Sequence, residues 1–187
     1  MDERAQKTVL RWWQSMMLNK SQLDVLHIPP APSVNKAQLK RCHTAESAML
    51  SAGFRALWLG LDDAIINDAR PQQIECWATI AVALVHVTSN AQEKFAAAAG
   101  KKSVGDKSLV SELRFAQLQS AKSPDDFLRR MRRIIQQLKG NVDVVSLAAD
   151  IQQWFIEYGQ SRPTKGKDRV SVRWAMDYYR AAPHSAK

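Results

Sequence analysis

A cluster of arginines in residues 124–139 is the strongest candidate for chemistry in this sequence. Its members are Arg129, Arg130, Arg132 and Arg133. At about 100° per residue, the apolar residues of this segment fall on one side of a helix and the arginines cover the other side. Guanidinium groups form forked contacts with phosphate, so the segment predicts binding to a nucleic-acid backbone. The alternative is a solvated face partly neutralised by Asp125 and Asp126, which leaves Arg132 and Arg133 without local partners.

A second basic and aromatic group lies near the end of the sequence. The helix predicted over 168–181 carries Arg169 and Arg173 on a narrow polar strip, and the stretch 162–167 before it is a flexible basic approach. Its Trp174 and Tyr178 have two interpretations. They could stack on nucleic-acid bases, but packing in the protein core is the favoured interpretation.

The residues that could support catalysis do not fall into catalytic patterns. The four histidines and two cysteines lack the spacing of metal ligands. Adjacent acids at 62–63 and 125–126 would point about 100° apart on a helix, so helix-start roles suit them better than a nuclease site. The stretch 100–108 resembles a phosphate-binding loop, yet it has one extra residue before the lysine and no preceding strand. We therefore predict no catalytic residues, no metal and no cofactor.

The positive charge is confined to one half of the chain. The 187 residues carry a formal net charge of +9. Residues 1–93 hold 9 basic and 9 acidic side chains, whereas residues 94–187 hold 18 basic and 9 acidic ones. A one-sided excess favours a surface that meets a polyanion over charge that only aids solubility.

The elements that must position these side chains are helices. Apolar residues recur at helical spacing along most of the chain, with no convincing strand or repeat. The segment 71–88 is apolar nearly all round, which is typical of a helix at the centre of a bundle. We predict an all-α protein, a bundle of about seven to nine helices forming a single domain over residues 1–187. The predicted helices are 4–18, a short one ending at 41, one starting at 44, 71–88, 109–121, 124–139, 144–158 and 168–181.

The sequence has the features of a soluble, cytoplasmic protein. Its first residues are charged and lack the apolar stretch of a signal peptide. The most apolar segment, 74–87, is shorter than the roughly 18 residues that span a bilayer. Two cysteines in a chain of this length do not form a disulfide framework.

Several motifs in order along the chain resemble one family. The run Val110–Leu118 resembles the recurrent Ser-x-x-Arg-Phe-x-x-Leu segment of the CasB family, the small subunit of the type I-E CRISPR Cascade complex. Further similar segments are Leu10–Trp13, Leu39–Arg41 followed by Thr44, Leu128–Arg133, Asp150 to Trp154, and Val172–Tyr179. The resemblance covers most of the chain.

The resemblance implies a non-catalytic, all-helical subunit of a ribonucleoprotein. Two copies would lie beside the backbone and large subunits, with guide RNA and target DNA as nucleic-acid partners. Basic surfaces of such proteins stabilise the target strand and the displaced strand of the R-loop. Arg114 has a second interpretation, since it could be half-buried and support a partner helix. Carried onto this sequence, the predicted nucleic-acid-binding residues are Lys40, Arg41, Arg114, Arg129, Arg130, Arg132, Arg133, Lys165, Lys167, Arg169 and Arg173.

Two other classes of function remain open from sequence alone. One is a stand-alone basic regulator of the helix-turn-helix type, although the helix after residue 123 has no Asn or Gln at its start for reading bases. The other is an enzyme, for which nuclease activity lost on changing Asp62 or Asp125 would be the discriminating observation.

Overall fold

Helices account for most of this computed structural model, which describes residues 1–103, 105, 107–160 and 165–182. The all-α prediction is confirmed, since 68% of the described residues are helical and they hold twelve α-helices. In chain order they are α1 (Glu3–Met17), α2 (Lys20–Leu26), α3 (Ser33–Arg41), α4 (Ala45–Met49), α5 (Ala52–Trp58), α6 (Asp63–Asn67), α7 (Pro71–Leu84), α8 (Phe95–Gly100), α9 (Glu112–Gln119), α10 (Pro124–Gln137), α11 (Val144–Tyr158) and α12 (Val170–Ala181).

The described residues contain more helices than the predicted seven to nine, because one predicted helix is divided and three short helices are also present. The helix expected after Thr44 is divided into α4 and α5, because Ser51 caps a new helix by accepting a hydrogen bond from the Phe54 amide. Three further helices, α2, α6 and α8, have seven residues or fewer. Such short helices are marginal alone, so packing against neighbours stabilises them.

The core is built around α7. Every residue from Cys76 to Leu84 is buried, which confirms the prediction of a central helix that is apolar all round. Helices α4, α5, α10 and α11 pack against it. With the exception of Leu23 and Ile28, the buried apolar residues among those described form one connected cluster.

A two-stranded parallel sheet joins the halves of the chain, contrary to the expectation of no strand. Strand β1 (Ser89–Asn90) pairs with β2 (Asn141–Val142). Gly140 precedes β2 with φ +71°, and a Cβ there would lie 2.6 Å from Thr88 Oγ1, so only glycine fits this approach. The sheet places the end of α7 beside the end of α10.

Candidate nucleic-acid interface

Helix α10 presents Arg129 and Arg133 outward because its other side is apolar. Ser123 caps the helix by accepting a hydrogen bond from the Asp126 amide at 3.3 Å, and Pro124 occupies the first turn. Phe127, Leu128 and Met131 are inaccessible to solvent. The predicted apolar stripe and cap are therefore confirmed.

Two of the four arginines are paired with an acid on the same helix. Asp126 Oδ1 accepts hydrogen bonds from Arg129 at 2.5 Å and from Arg130 at 2.8 Å. These bonds, chiefly the one from Arg130, lower the pKa of Asp126. Arg130 also donates to the Gln117 carbonyl on α9. The Arg129 side chain is nevertheless 61% exposed, so it stays available to a ligand.

Arg133 is an exposed cation between two adjacent cavities. It has no hydrogen-bond or ion-pair partner among the described residues. Arg133 and Gln136 line both a cavity of about 420 Å³ and one of about 500 Å³. The remaining lining residues of the first are His43, Asp125, Asp126, Arg129 and Arg132, and those of the second are Arg114, Gln117, Arg130, Ile134 and Gln137.

Arg114 joins this surface from α9. It is exposed, so the half-buried interpretation is wrong. It has no ion-pair partner within the described part of the chain. Phe115, beside it, is 2% exposed and anchors α9 in the core. The helix thus holds Arg114 at the rim of the second cavity.

The end of α3 adjoins the first cavity, which His43 lines. Lys40 and Arg41 are both exposed. Arg132 links this end to α10 by donating to the Cys42 carbonyl at 2.8 Å. Burial, and next the charges of Arg132 and Lys40, lower the pKa of His86 to about 4. We use the term α10 surface for the five arginines that line the two cavities together with the two exposed cations at the adjoining end of α3, which line neither cavity: Arg114, Arg129, Arg130, Arg132 and Arg133, with Lys40 and Arg41.

The other four predicted residues lie apart from this surface. Lys167 lies in a 3₁₀ turn at Gly166–Asp168, which Lys165 and Arg169 flank, and all three are exposed. Arg173 on α12 is paired with Asp150 at 3.2 Å. A cavity of about 430 Å³ beside Lys167 and Arg173 shares no lining residue with the two α10 cavities. The Arg162–Thr164 part of the predicted basic approach lies outside the described residues.

Core packing is the correct interpretation of the aromatic residues on α12. Trp174 is 2% and Tyr178 is 3% exposed. Tyr178 stacks on Phe115 with ring centroids 4.6 Å apart. These rings therefore hold α12 against α9 and are not available for stacking on bases.

Sequence reasoning missed the amides that interleave with the arginines. Gln136 and Gln137 line the cavities, as does Gln117 on α9. Gln136 stands three residues after Arg133, which is one helical turn, so the helical spacing that located the arginines could have located it too.

Two of the four acids considered as a nuclease site, Asp62 and Asp126, have structural roles. Asp62 caps α6 by accepting from the Ala64 amide at 3.0 Å and pairs with Arg4 at the same distance. Among the described residues, no three His, Cys, Asp or Glu side chains are grouped as metal ligands would be. No described helix has both the length and the apolar character needed to span a bilayer.

The start of α10 also differs from a DNA-reading helix. Its first turn carries Asp125 and Asp126, whose charge opposes approach to phosphates. Recognition helices of the helix-turn-helix type contact base edges with N-terminal residues. This arrangement gives the alternative of a stand-alone regulator no support.

The comparisons with known proteins assign the chain to a family. A model of the family described as CRISPR-associated protein Cse2 matches residues 35–179, more than half of the chain. All eleven predicted binding residues fall within this range. A search of the curated proteins found no match. A search of the solved structures also found none. The chain therefore belongs to the CRISPR-associated Cse2 family, also called CasB, whose members are small subunits of the type I-E Cascade complex.

Proposed function

We propose that this Cascade subunit binds nucleic-acid backbone on its α10 surface and thereby stabilises the R-loop, without catalysing a reaction. The observation that carries the proposal is the position of Arg133, exposed and unpaired within the described chain, between cavities that also hold Arg114 and Arg129. Five arginines line these cavities against two acids, Asp125 and Asp126. Phosphates of a strand are the complementary ligand.

The physics of R-loop formation suits such a surface. Exchanging a DNA duplex for an RNA–DNA heteroduplex is nearly balanced in free energy, so modest contacts to backbone can shift it. Base pairing with the guide supplies the sequence specificity. A surface of arginines and amides can then bind either strand without reading its bases.

The proposal includes the assembly and place in which the subunit acts. Its partners are the backbone and large subunits, a second copy of the chain, guide RNA and the target and displaced DNA strands. It acts in the cytoplasm as one domain, which the single connected core supports. The exposed cations Lys165, Lys167 and Arg169 form a second, auxiliary contact to backbone, with Arg173 contributing less because Asp150 shares its charge.

The test is charge reversal on α10 in the assembled complex. The double variant Arg129→Glu with Arg133→Glu should weaken binding of the complex to target duplex by at least about tenfold, since several phosphate contacts are lost. The matched control is Arg11→Glu with Lys20→Glu, which reverses two exposed cations that line neither α10 cavity. R-loop lifetime, measured by protection of the displaced strand, should fall only in the α10 variant.

Two results would overturn the proposal. One is an R-loop lifetime unchanged by the α10 reversal while the variant subunit is present in the complex at normal stoichiometry. The other is equal weakening by the control pair, which would show a general charge effect. Salt titration gives a further check, because the log of the affinity falls by about 0.7 to 0.9 per phosphate contact for each log unit of salt.

A further inference from the structure

Arg132 differs from the other arginines of α10 in what it contacts. Its side chain crosses to α3 and donates from one terminal nitrogen to the Cys42 carbonyl at 2.8 Å. The other terminal nitrogen donates to the Lys40 carbonyl at 3.4 Å. These partners stand 90 and 92 residues earlier in the chain. The guanidinium thus spans two elements that are distant in sequence.

One of the carbonyls that it binds, that of Lys40, belongs to the last turn of α3, and the other belongs to Cys42, the extended residue that follows the helix. Helix α3 ends at Arg41. The last carbonyls of a helix lack amide partners and carry the negative end of the helix dipole. A guanidinium fork reaches the Lys40 and Cys42 carbonyls at once, which a single ammonium group does less well. Arg132 therefore caps α3 from a neighbouring helix.

Arg132 is also poorly placed to bind a phosphate in solution. Its Nε is buried and has no hydrogen-bond partner among the described residues. Burial lowers the pKa of its guanidinium. His43 Nδ1 lies 3.3 Å from the same nitrogen that binds Cys42. The donors of Arg132 face protein, whereas those of Arg133 face outward.

We propose that Arg132 is a positioning residue, which holds the end of α3, with its exposed Lys40 and Arg41, next to the cavity that Arg129 and Arg133 line. The contact with α3 is a property of the free subunit. Its consequence for nucleic-acid binding rests on the proposed function of the α10 surface.

Hydrogen exchange tests the positioning directly, on the full chain without nucleic acid. Arg132→Lys keeps the charge but removes the fork, and should speed exchange of the Cys42 amide and its neighbours at least fivefold. The Cys42 amide donates to the Leu39 carbonyl, so it reports fraying of this helix end.

Arg133→Lys is the matched control and should leave these amides unchanged. Amides of α7 report global stability in each variant. Unchanged exchange at the α3 end in Arg132→Lys would overturn the inference.

A double-mutant cycle tests the consequence in the assembled complex. If Arg132 acts through α3, then Arg132→Lys should weaken target binding about as much as Lys40→Gln with Arg41→Gln, and combining them should add little further. If Arg132 instead binds phosphate itself, the lysine variant should retain most of the affinity and the effects should add. Additive effects would overturn the inference.

The two proposals fail separately. Loss of binding on reversing Arg129 and Arg133, together with additive behaviour of Arg132, would leave the α10 surface as the binding site and remove only the positioning role. No effect of that reversal would instead remove the proposed function. The exchange measurement on the free subunit would still decide whether Arg132 holds α3.

Discussion

Trp174 donates its indole N–H to the carboxylate of Asp150, with Nε1 2.7 Å from Oδ2. Trp174 is on α12 and Asp150 is on α11, and both are buried. Burial raises the pKa of Asp150, while the Trp174 hydrogen bond and the Arg173 charge act in the opposite direction. The indole N–H of Trp174 therefore depends on the Asp150 carboxylate as its acceptor, although burial disfavours the negative charge of that carboxylate.

This balance predicts different outcomes for two substitutions of Asp150. Asp150→Asn keeps an oxygen for the indole and removes the buried charge, so its free energy of unfolding should stay within about 1 kcal/mol of the original. Asp150→Ala leaves the buried N–H without an acceptor and should cost about 2 to 3 kcal/mol, measured by urea unfolding. Equal losses in both variants would contradict this account.

Gly100 allows α8 and α12 to approach closely, and Gly100→Ala should be strongly destabilising. A Cβ at Gly100 would collide with the backbone carbonyl of Tyr178. Separating the helices should cost about 1 to 3 kcal/mol. Gly100 is the last residue of α8, so alanine should return little of the roughly 1 kcal/mol that it brings to a helix interior. Gly166→Ala is the control, because a Cβ there meets no atom of the described residues within 4 Å. A thermal midpoint that is unchanged in Gly100→Ala would show that the helices can separate without cost.

Local patterns were sufficient to predict the long helices and the direction of the arginines. The apolar stripe of α10, the Ser123 cap and the burial of α7 depend on spacing and side-chain type, which a sequence contains. For the same reason Arg129 and Arg133 could be assigned to the outer side of their helix. The caps of α6 and α11, by Asp62 and Asp143, follow equally local rules.

Contacts between distant segments could not be predicted in this way. The pairing of β1 with β2 joins residues about fifty positions apart, and each strand has only two residues. The partners of Arg132 are further still along the chain, so local reasoning left it without one. Separation of Lys167 and Arg173 from the α10 cavities likewise depends on how α12 packs, which no short pattern encodes.

His86 should make the stability of the subunit fall in mildly acidic solution. Burial first, then the charges of Arg132 and Lys40, lowers its pKa from 6.5 to about 4. Between these values the unfolded chain binds a proton that the folded protein does not, so the free energy of unfolding decreases as the pH falls from about 6.5 to about 4. Allowing for screening by solvent, the loss attributable to His86 is about 1 to 2 kcal/mol.

The measurement is urea unfolding across this pH window. His86→Gln should flatten the decrease, since it removes the titrating group. His27→Asn, at an exposed histidine, should leave it intact. A decrease of the same size in His86→Gln would assign the acid sensitivity to other groups.

Asp126 restrains two cations of the α10 surface, and Asp126→Asn should therefore strengthen binding to nucleic acid. Its Oδ1 accepts from both Arg129 and Arg130. The amide keeps an acceptor but removes the negative charge, so we expect a few-fold tighter binding of target DNA by the complex. The salt dependence should steepen by up to about one phosphate contact, or 0.7 to 0.9 in slope. Losing an acid from the first turn should lower stability by about 0.3 to 1 kcal/mol.

Asp62→Asn is the matched control, because Asp62 also pairs with an arginine but lines neither α10 cavity. Weaker binding in Asp126→Asn at normal subunit stoichiometry would contradict this prediction. It would mean that the carboxylate orients Arg129 and Arg130 toward phosphate and so favours binding.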